Sequence, residues 1–245
     1  MKISKIGITV PSIGTARACK SAVAVSIQGT HIVYHRHETL SEGTRRMTHT
    51  GTTGTQVFVF TKPGTEAGET LIEIVKRKET ERVAGNGVFW WGVGNSLGDD
   101  LSEAAMKAGG RIPILFVAHD RPAPPKNENV NPSRIVRWTK WRAKEGASKD
   151  VPAFANITSR WDEKKRLHHA LVCMSEVPLS IDLEGPRFDP MLCKTYAMGR
   201  VPGASQVTAL VRGDLGDRRH QEGRYRILFR ANLVLPWQAK LVAYQ

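Results

Sequence analysis

The stretch VFWWGVGNSLGDDLSEAAMKAGGRIPILFVAHD, residues 88–120, places an aromatic run, a glycine-rich turn, an amphipathic segment and a second apolar run in succession. The run VFWWGV is typical of a strand, in which successive side chains point to opposite faces of a sheet. Trp90 and Trp91 are therefore predicted to face opposite ways, so that at most one of them lies in the core. The other is free to contact a ligand or a second layer.

The segment DDLSEAAMKAGG, which follows the turn, predicts a helix of about two to three turns. Asp100 and Glu103 have the spacing of a capping box, and the paired glycines end the helix. RIPILFVAHD then predicts a buried strand. The apolar residues at helical spacing in the helix are Leu101, Ala104, Ala105 and Ala108.

Most of the remaining chain predicts strands. Two β-rich runs flank a hairpin turn at Gln28-Gly29-Thr30, TQVFVFT and TLIEIVKRKE each predict a strand, and RYRILFRANLVLPWQAKLVAY predicts a C-terminal β-hairpin. The pattern favours an α+β fold, a small mixed barrel rather than a Rossmann fold. The predicted organisation is an N-terminal β-rich extension over residues 1–65, packed on or beside the core, a core domain over 66–215, and a C-terminal β-hairpin extension over 216–245.

The chain is strongly basic, with a formal net charge of +13 and a sequence pI of about 10.0. The first 65 residues contain eight Lys and Arg against two acidic residues, and the last 30 contain six against two. Such a balance favours a polyanionic partner, most often nucleic acid. The flanks are expected to supply the grip on a phosphate backbone, although an acidic protein partner fits the same numbers.

The cysteines argue against a disulfide framework and a zinc ribbon, because there are three of them with no CxxC pair. No run approaches the roughly 18 to 20 apolar residues that span a bilayer, so we expect a cytoplasmic protein without a membrane partner. Neither GxGxxG nor GxxxxGK[ST] occurs as a strand-to-helix element, so no nucleotide cofactor is expected.

The tryptophans lie among cations, most clearly in RIVRWTKWRAK, which contains Trp138 and Trp141. Basic side chains bind phosphates while aromatic faces stack on bases, a pairing common where single-stranded or flipped-out bases are bound. For any one tryptophan, a place in the core is the competing interpretation. The predicted phosphate-binding residues are Arg45, Arg46, Arg134, Arg137, Lys140 and Arg142.

The histidines allow several interpretations. His31, His35, His37 and His49 lie close in sequence and could bind a metal, contact phosphates or serve structural roles, and we predict no metal site. The adjacent His168 and His169 point to opposite faces of a strand and cannot form a site as a pair.

No signature such as GxSxG marks a nucleophile, and no catalytic residue is predicted. A binding protein is therefore favoured over an enzyme. One alternative is a nuclease or base-modifying hydrolase that uses the His35 and His37 cluster or His119 for acid–base or metal chemistry. Another is a basic interaction or inhibitor protein whose pocket is vestigial.

Residues 88–120 resemble the core of EVE domains, which belong to the PUA-like superfold and are related to YTH and ASCH domains. The likeness extends over about residues 70–212, with TLIEIVKRKE as the first strand of the domain. It departs from the family at Gly94, where an arginine is usual, and in the run SLGDD. The matching residues are Trp90, Gly92, Val93, Asn95, Met106, Lys107, Gly109, Leu115, Phe116 and His119.

The resemblance implies a small barrel with a concave pocket that holds a modified base, flipped out of DNA or RNA, between aromatic side chains. Trp90 or Trp91 would form the wall together with Trp138 or Trp141, and we expect Trp91 to line the pocket while Trp90 anchors the motif. Asn95 and Ser96 would bond to the edge of the base. The expected partners are DNA or RNA carrying a modified base and a protein of a restriction, defence or RNA-processing system.

Overall fold

The computed structural model describes residues 24–27, 30–33, 54–64, 68–119, 135–143, 146–160 and 168–242. The chain divides into two compact units, Met1–His49 and Thr50–Gln245. In the first unit, β1 (Ala24–Ile27) and β2 (Thr30–Val33) pair antiparallel, with Ile27 opposite Thr30. The two strands of the predicted N-terminal hairpin are therefore confirmed.

The second unit contains two α-helices and twelve strands among its described residues. It also has short 3-10 turns at Pro190–Leu192 and Arg218–Glu222. The helices are α1 (Leu71–Ala84) and α2 (Asp100–Lys107). The strands are β3 (Gln56–Thr61), β4 (Val88–Val93), β5 (Ile112–His119), β6 (Ile135–Arg137), β7 (Lys140–Arg142), β8 (Lys149–Asp150), β9 (Thr158–Arg160), β10 (His168–Met174), β11 (Arg187–Phe188), β12 (Lys194–Thr195), β13 (Thr208–Gly213) and β14 (Tyr225–Val242).

Ten of these strands form one sheet with the path β12-β13-β3-β5-β14-β10-β4. Strands β7 and β11 pair with β14, β8 pairs with β7, and β6 and β9 form a separate two-stranded sheet. All pairs are antiparallel except β3 with β5. The predicted α+β class is confirmed. Within the described part of the chain, however, the end strands β12 and β4 do not pair with each other, so the sheet is not closed into a barrel.

Both predicted extensions contribute strands to this sheet. Strand β3, from the first 65 residues, lies between β13 and β5, and β14, from the last 30, lies between β5 and β10. The compact unit accordingly begins at Thr50. Because β3 and β14 each have a neighbouring strand on both sides, these two strands are integral to the sheet of the second unit.

The strand–helix–strand order of residues 88–119 is confirmed. Helix α2 buries Leu101, Ala104 and Ala105, as its apolar spacing predicted. It begins one residue earlier than expected, with Asp99 as the N-cap. Asp100 and Glu103 therefore lie inside the first turn, where their charges complement the helix dipole, and the predicted capping box is wrong.

The prediction of a strand at TLIEIVKRKE is wrong, because these residues begin helix α1. Thr70 caps the helix and exchanges hydrogen bonds with Glu73, so a capping box is present here. The buried positions include Lys78 and Glu81 as well as apolar residues. Because two of the buried positions carry charged residues, the apolar residues alone do not show the helical period.

The predicted C-terminal hairpin is also wrong, because β14 is one strand of 18 residues. It pairs with β5 up to Leu233 and with β10 up to Leu241. A cis peptide bond joins Leu235 and Pro236, within the part of β14 where the ladder with β10 contains a bulge. A bulge inserts extra residues without reversing the chain, so it changes which face the following side chains occupy.

Strands β4, β10 and β14 carry a hydrophobic cluster on each face. The helical face bears Trp91 and Leu171 and packs against α1 and α2. The tryptophan face bears Trp90 and Ala170 and is covered by residues of β6 to β9 and their connections. Trp90 and Trp91 therefore do face opposite ways, but both lie in a core, because this sheet is covered on both sides.

None of the helices in the described ranges combines the length and apolar character required to cross a membrane.

Candidate nucleic-acid interface

Three tryptophans meet on the tryptophan face. The rings of Trp90 and Trp141 contact edge to face, with centroids 5.4 Å apart, and Trp138 packs in the same cluster. The exposed fractions of Trp90, Trp138 and Trp141 are 3%, 2% and 7%. We call these three residues the tryptophan cluster. The structure thus brings together one tryptophan of VFWWGV and both tryptophans of RIVRWTKWRAK.

The indole nitrogens of the cluster bond to its cover. Trp138 Nε1 donates to Ser159 Oγ at 2.9 Å, and Trp141 Nε1 donates to the main-chain oxygen of Asp150 at 3.0 Å. Trp138 also packs against the ring of His168, at 5.0 Å between centroids. Because the indole nitrogens of Trp138 and Trp141 have partners and all three rings are nearly inaccessible, the cluster is closed in this structure.

Trp91 lies on the helical face, away from the tryptophan cluster. Its ring contacts Phe116 at 4.6 Å and Phe229 at 6.4 Å, and the two phenylalanines stack at 4.2 Å. We expected Trp91 to share a pocket with Trp138 or Trp141, and the structure differs from that expectation. Trp90 shares their face instead, because successive side chains of β4 point to opposite faces of the sheet.

A buried ion pair satisfies the free edge of β4. Lys78 Nζ donates to Glu81 Oε1 and to the main-chain oxygen of Trp90, both at 2.6 Å. The main-chain nitrogen of Trp90 donates to Glu81 Oε2 at 3.3 Å. Since β4 ends the sheet, these contacts replace the hydrogen bonds that a further strand would supply. The pair holds the main chain of Trp90 in place.

Burial is the largest cause of the shifted pKa values of Lys78 and Glu81. Desolvation lowers the pKa of Lys78 to about 8, against the attraction of Glu81. Desolvation likewise raises the pKa of Glu81, against the attraction of Lys78. Sequence reasoning missed both residues. The available signal was their spacing of three, in register with the buried Ile74 and Val75 on one helix face.

The turn after β4 is held by a glutamine of β14. Gln238 Oε1 accepts a hydrogen bond from the main-chain nitrogen of Leu97 at 2.7 Å, and its Nε2 donates to Ser96 Oγ at 2.9 Å. Ser96 Oγ also accepts from the nitrogen of Gly98 at 3.0 Å. The hydroxyl of Ser96 thus stabilises the turn, while Asn95 is exposed. Both predicted base-edge residues are exposed, but only the hydroxyl of Ser96 is already engaged within the turn.

The described cations of the predicted phosphate-binding set neighbour Trp138 and Trp141 along the chain, and Lys140 and Arg142 flank Trp141 in β7 and so point to the opposite face. Arg137 and Arg142 are exposed, whereas Lys140 is half-buried and forms an ion pair with Asp150. Lys149 was not predicted, and its ammonium group lies over the ring of Trp141 at 5.8 Å from the centroid. Arg45, Arg46 and Arg134 lie outside the described residues.

Residues considered for catalysis or metal binding do not come together where the structure describes them. Within those ranges, no group of three His, Cys, Asp or Glu is arranged to hold a metal ion. His119 is exposed and packs against Tyr225. His168 and His169 occupy adjacent positions in β10 and so opposite faces, as predicted. The side chains of the predicted histidine group, His31, His35, His37 and His49, lie outside what the structure describes.

Two of the cysteines are buried and free. Desolvation raises the pKa of Cys193 to about 12 and raises the pKa of Cys173 further still. Both therefore stay protonated at neutral pH and are poor nucleophiles.

Comparisons of the chain with protein-family models, with curated proteins and with solved structures find no match.

Proposed function

We propose that this chain is a nucleic-acid-binding protein that grips the phosphate backbone with basic residues around the tryptophan cluster. The proposal rests on the composition of the residues that cover this cluster. Residues 135–143 and 146–159 contain four cations and one carboxylate. Exposed cations beside aromatic side chains are the combination with which proteins bind single-stranded nucleic acid.

The cations of the cover differ in their availability. Lys140 is neutralised by Asp150, whereas Arg137, Arg142 and Lys149 are exposed. The net charge of +13 supports the same proposal, since it attracts a polyanion over the whole chain. We therefore assign the backbone contacts beside the tryptophan cluster to Arg137 and Lys149, because Arg142 points to the other face of β7.

The finer proposal is that the protein reads a modified base, as the resemblance to EVE domains and their PUA-like fold implies. The base would stack on the tryptophan cluster and bond to Asn95. Because the cluster is closed, binding would have to displace residues 146–150, which include the main-chain acceptor of Trp141. The ligand would then favour an open state by its stacking energy, which is about 1–3 kcal/mol per base.

Backbone binding is tested by fluorescence anisotropy with labelled DNA and RNA oligonucleotides between about 50 and 200 mM salt. We expect affinity to fall steeply with salt. For single strands, Arg137→Gln should make the slope of log K against log[salt] shallower by about 0.7. Arg200→Gln, at an exposed position in the connection between β12 and β13, is the matched control and should leave the slope unchanged. If no oligonucleotide binds at the lowest salt, the proposal fails and a basic protein-interaction role replaces it.

Base reading is tested separately with a panel of modified and plain nucleosides, followed by tryptophan fluorescence. A modified nucleoside should change the emission of the wild type, and Asn95→Ala should weaken its binding. Ser96→Ala removes the other predicted base-edge group, whose hydroxyl is already bonded within the turn, and it should weaken binding less than Asn95→Ala. Binding that ignores every modification would remove the finer proposal and leave backbone binding standing.

A further inference from the structure

Three residues that carry or can carry positive charge form a straight row across three adjacent strands. His169 of β10 lies directly opposite Lys240 of β14, and Lys240 lies directly opposite Arg142 of β7. Side chains opposite each other on neighbouring strands have Cβ atoms about 4.5–5.5 Å apart. We call His169, Lys240 and Arg142 the cationic row.

The cationic row lies on the helical face of the sheet. Its neighbours along each strand, Ala170, Leu241 and Trp141, belong to the cluster on the tryptophan face, so the row points the other way. The bulge in β14 decides this. Leu233 before the bulge and Lys240 after it share a face although their positions differ by seven, an odd number that would place them on opposite faces of a regular strand.

The row adjoins the turn that contains Asn95. Val93, the last residue of β4, lies opposite His169, and the turn begins at the next residue. On the same face, two residues before Lys240, Gln238 bonds to that turn. The bulge therefore places both Gln238, which holds the turn, and Lys240 on the face of β14 that adjoins the turn after β4.

Within the described ranges, no acidic side chain pairs with the charges of the row. Strands β4, β7, β10 and β14 contain no Asp or Glu. The neighbouring strand β8 contains Asp150, which forms an ion pair with Lys140. Among the described residues, no ion pair involves Lys240 or Arg142. His169 Nδ1 is buried and has no hydrogen-bond partner in the described part of the chain.

Such an arrangement costs stability in the free protein. Like charges directly opposite on neighbouring strands repel each other, and Lys240 is half-buried, where screening by water is reduced. A bound anion would remove the repulsion and give His169 a partner. Proteins commonly accept a local cost of this kind at a binding site.

We propose that the cationic row is a binding site for a phosphate group. A guanidinium fork suits two phosphate oxygens, an ammonium group supplies a point charge, and an imidazole N–H donates one further hydrogen bond. For its natural ligand, a backbone phosphate beside the recognised nucleotide, the proposal rests on the proposed function. A free phosphate or a nucleotide has the same chemistry, so the experiment distinguishes these sources.

The test follows the ring resonances of His169 by NMR, assigned with a His169→Gln variant. Inorganic phosphate, a nucleoside 5′-monophosphate and an oligonucleotide are titrated in turn into the whole chain. Each should shift the resonances of His169, and Lys240→Gln or Arg142→Gln should weaken binding about tenfold, the effect of losing a charged hydrogen bond. Lys194→Gln, on exposed β12 at the far end of the sheet path, is the matched control and should bind like the wild type.

The outcomes separate this site from the proposed function. If an oligonucleotide binds equally to the wild type, Lys240→Gln and Arg142→Gln and leaves His169 unmoved, the site is overturned while nucleic-acid binding stands. If phosphate and the mononucleotide bind at the row but no oligonucleotide binds, the site stands and the proposed function fails. If Lys194→Gln weakens binding as much as Lys240→Gln, the effect is one of general charge, and the site is overturned.

Discussion

Trp90 and Trp91 are neighbours in β4, yet they belong to regions with different chemistry. On the helical face, Trp91 packs only against apolar rings and the two helices. On the tryptophan face, Trp90 meets Trp141, whose indole bonds to a cover of short strands with exposed cations. The first region has the features of a folding core, and the second combines burial with groups that can bind an anion. One residue of separation along a strand is enough to place two like side chains in these two settings.

The largest effect should come from Trp91→Ala. Removing this ring leaves a cavity against Phe116 and Phe229, and we expect the free energy of unfolding to fall by about 3–5 kcal/mol. Urea denaturation measures the loss. Nucleic-acid affinity per folded molecule should not change, because the helical core has no proposed ligand contact at this ring. A specific loss of affinity at full folding would move the ligand to the helical face.

The ion pair between α1 and β4 should give the next largest effect. Lys78→Met leaves the buried carboxylate of Glu81 with only the longer ionic contact to Arg77, at 3.6 Å, and removes a donor to the main-chain oxygen of Trp90, so we expect a loss of about 3 kcal/mol. Lys76→Met, at an exposed position of the same helix, is the control and should change stability little.

The free energy of unfolding should also depend on pH in a way that Lys78→Met removes. The pKa of Lys78 falls from its ordinary 10.5 to about 8 in the folded state, so the unfolded chain binds more protons between these pH values. The wild type should therefore gain stability relative to Lys78→Met as the pH rises from 8 toward 10.5, by at most about 1.4 kcal/mol per pH unit. Parallel stability curves for the two proteins over this range would show that Lys78 is not the titrating group.

A smaller change should distinguish the tryptophan face from an ordinary core. Trp141→Phe removes the hydrogen bond to the main chain of Asp150 and part of a ring, at a cost of about 1–2 kcal/mol. Trp237→Phe is a matched control, since Trp237 Nε1 donates to the oxygen of Gly110 at 2.9 Å. We expect both variants to lose similar stability in thermal melts, but only Trp141→Phe to weaken nucleic-acid binding. Equal binding by the two would make the tryptophan cluster purely structural.

The smallest effect should have the opposite sign. Lys240→Gln relieves the repulsion between Lys240 and Arg142, so the ligand-free protein should gain about 0.2–1 kcal/mol. Differential scanning calorimetry in a buffer free of phosphate measures the shift. The gain should shrink or reverse when phosphate is added, because the wild type then binds a counter-charge. A loss of stability without phosphate would show that Lys240 has a structural role.

Short sequence patterns correctly predicted the helices and strands that depend only on neighbouring residues. The strand at β4, the helix α2 and the strand β5 follow from aromatic and β-branched runs and from an apolar stripe. The same reasoning failed at α1, where Lys78 and Glu81 occupy buried positions, because a partner that makes burial of a charge tolerable lies elsewhere in the chain. It failed again at β14, which was predicted as a hairpin, because the pairing with β5 and β10 keeps the chain in one direction.

The sequence by itself determined that Trp90 and Trp91 face opposite ways, because the alternation of side chains is a property of a single strand. It also determined the strong positive charge and the association of Trp138 and Trp141 with cations. Only the tertiary structure decided that both faces of β4 are covered, that Trp90 rather than Trp91 meets those tryptophans, and that His169, Lys240 and Arg142 stand in one row. These outcomes depend on strand register and on a bulge, which bring together residues far apart in the chain.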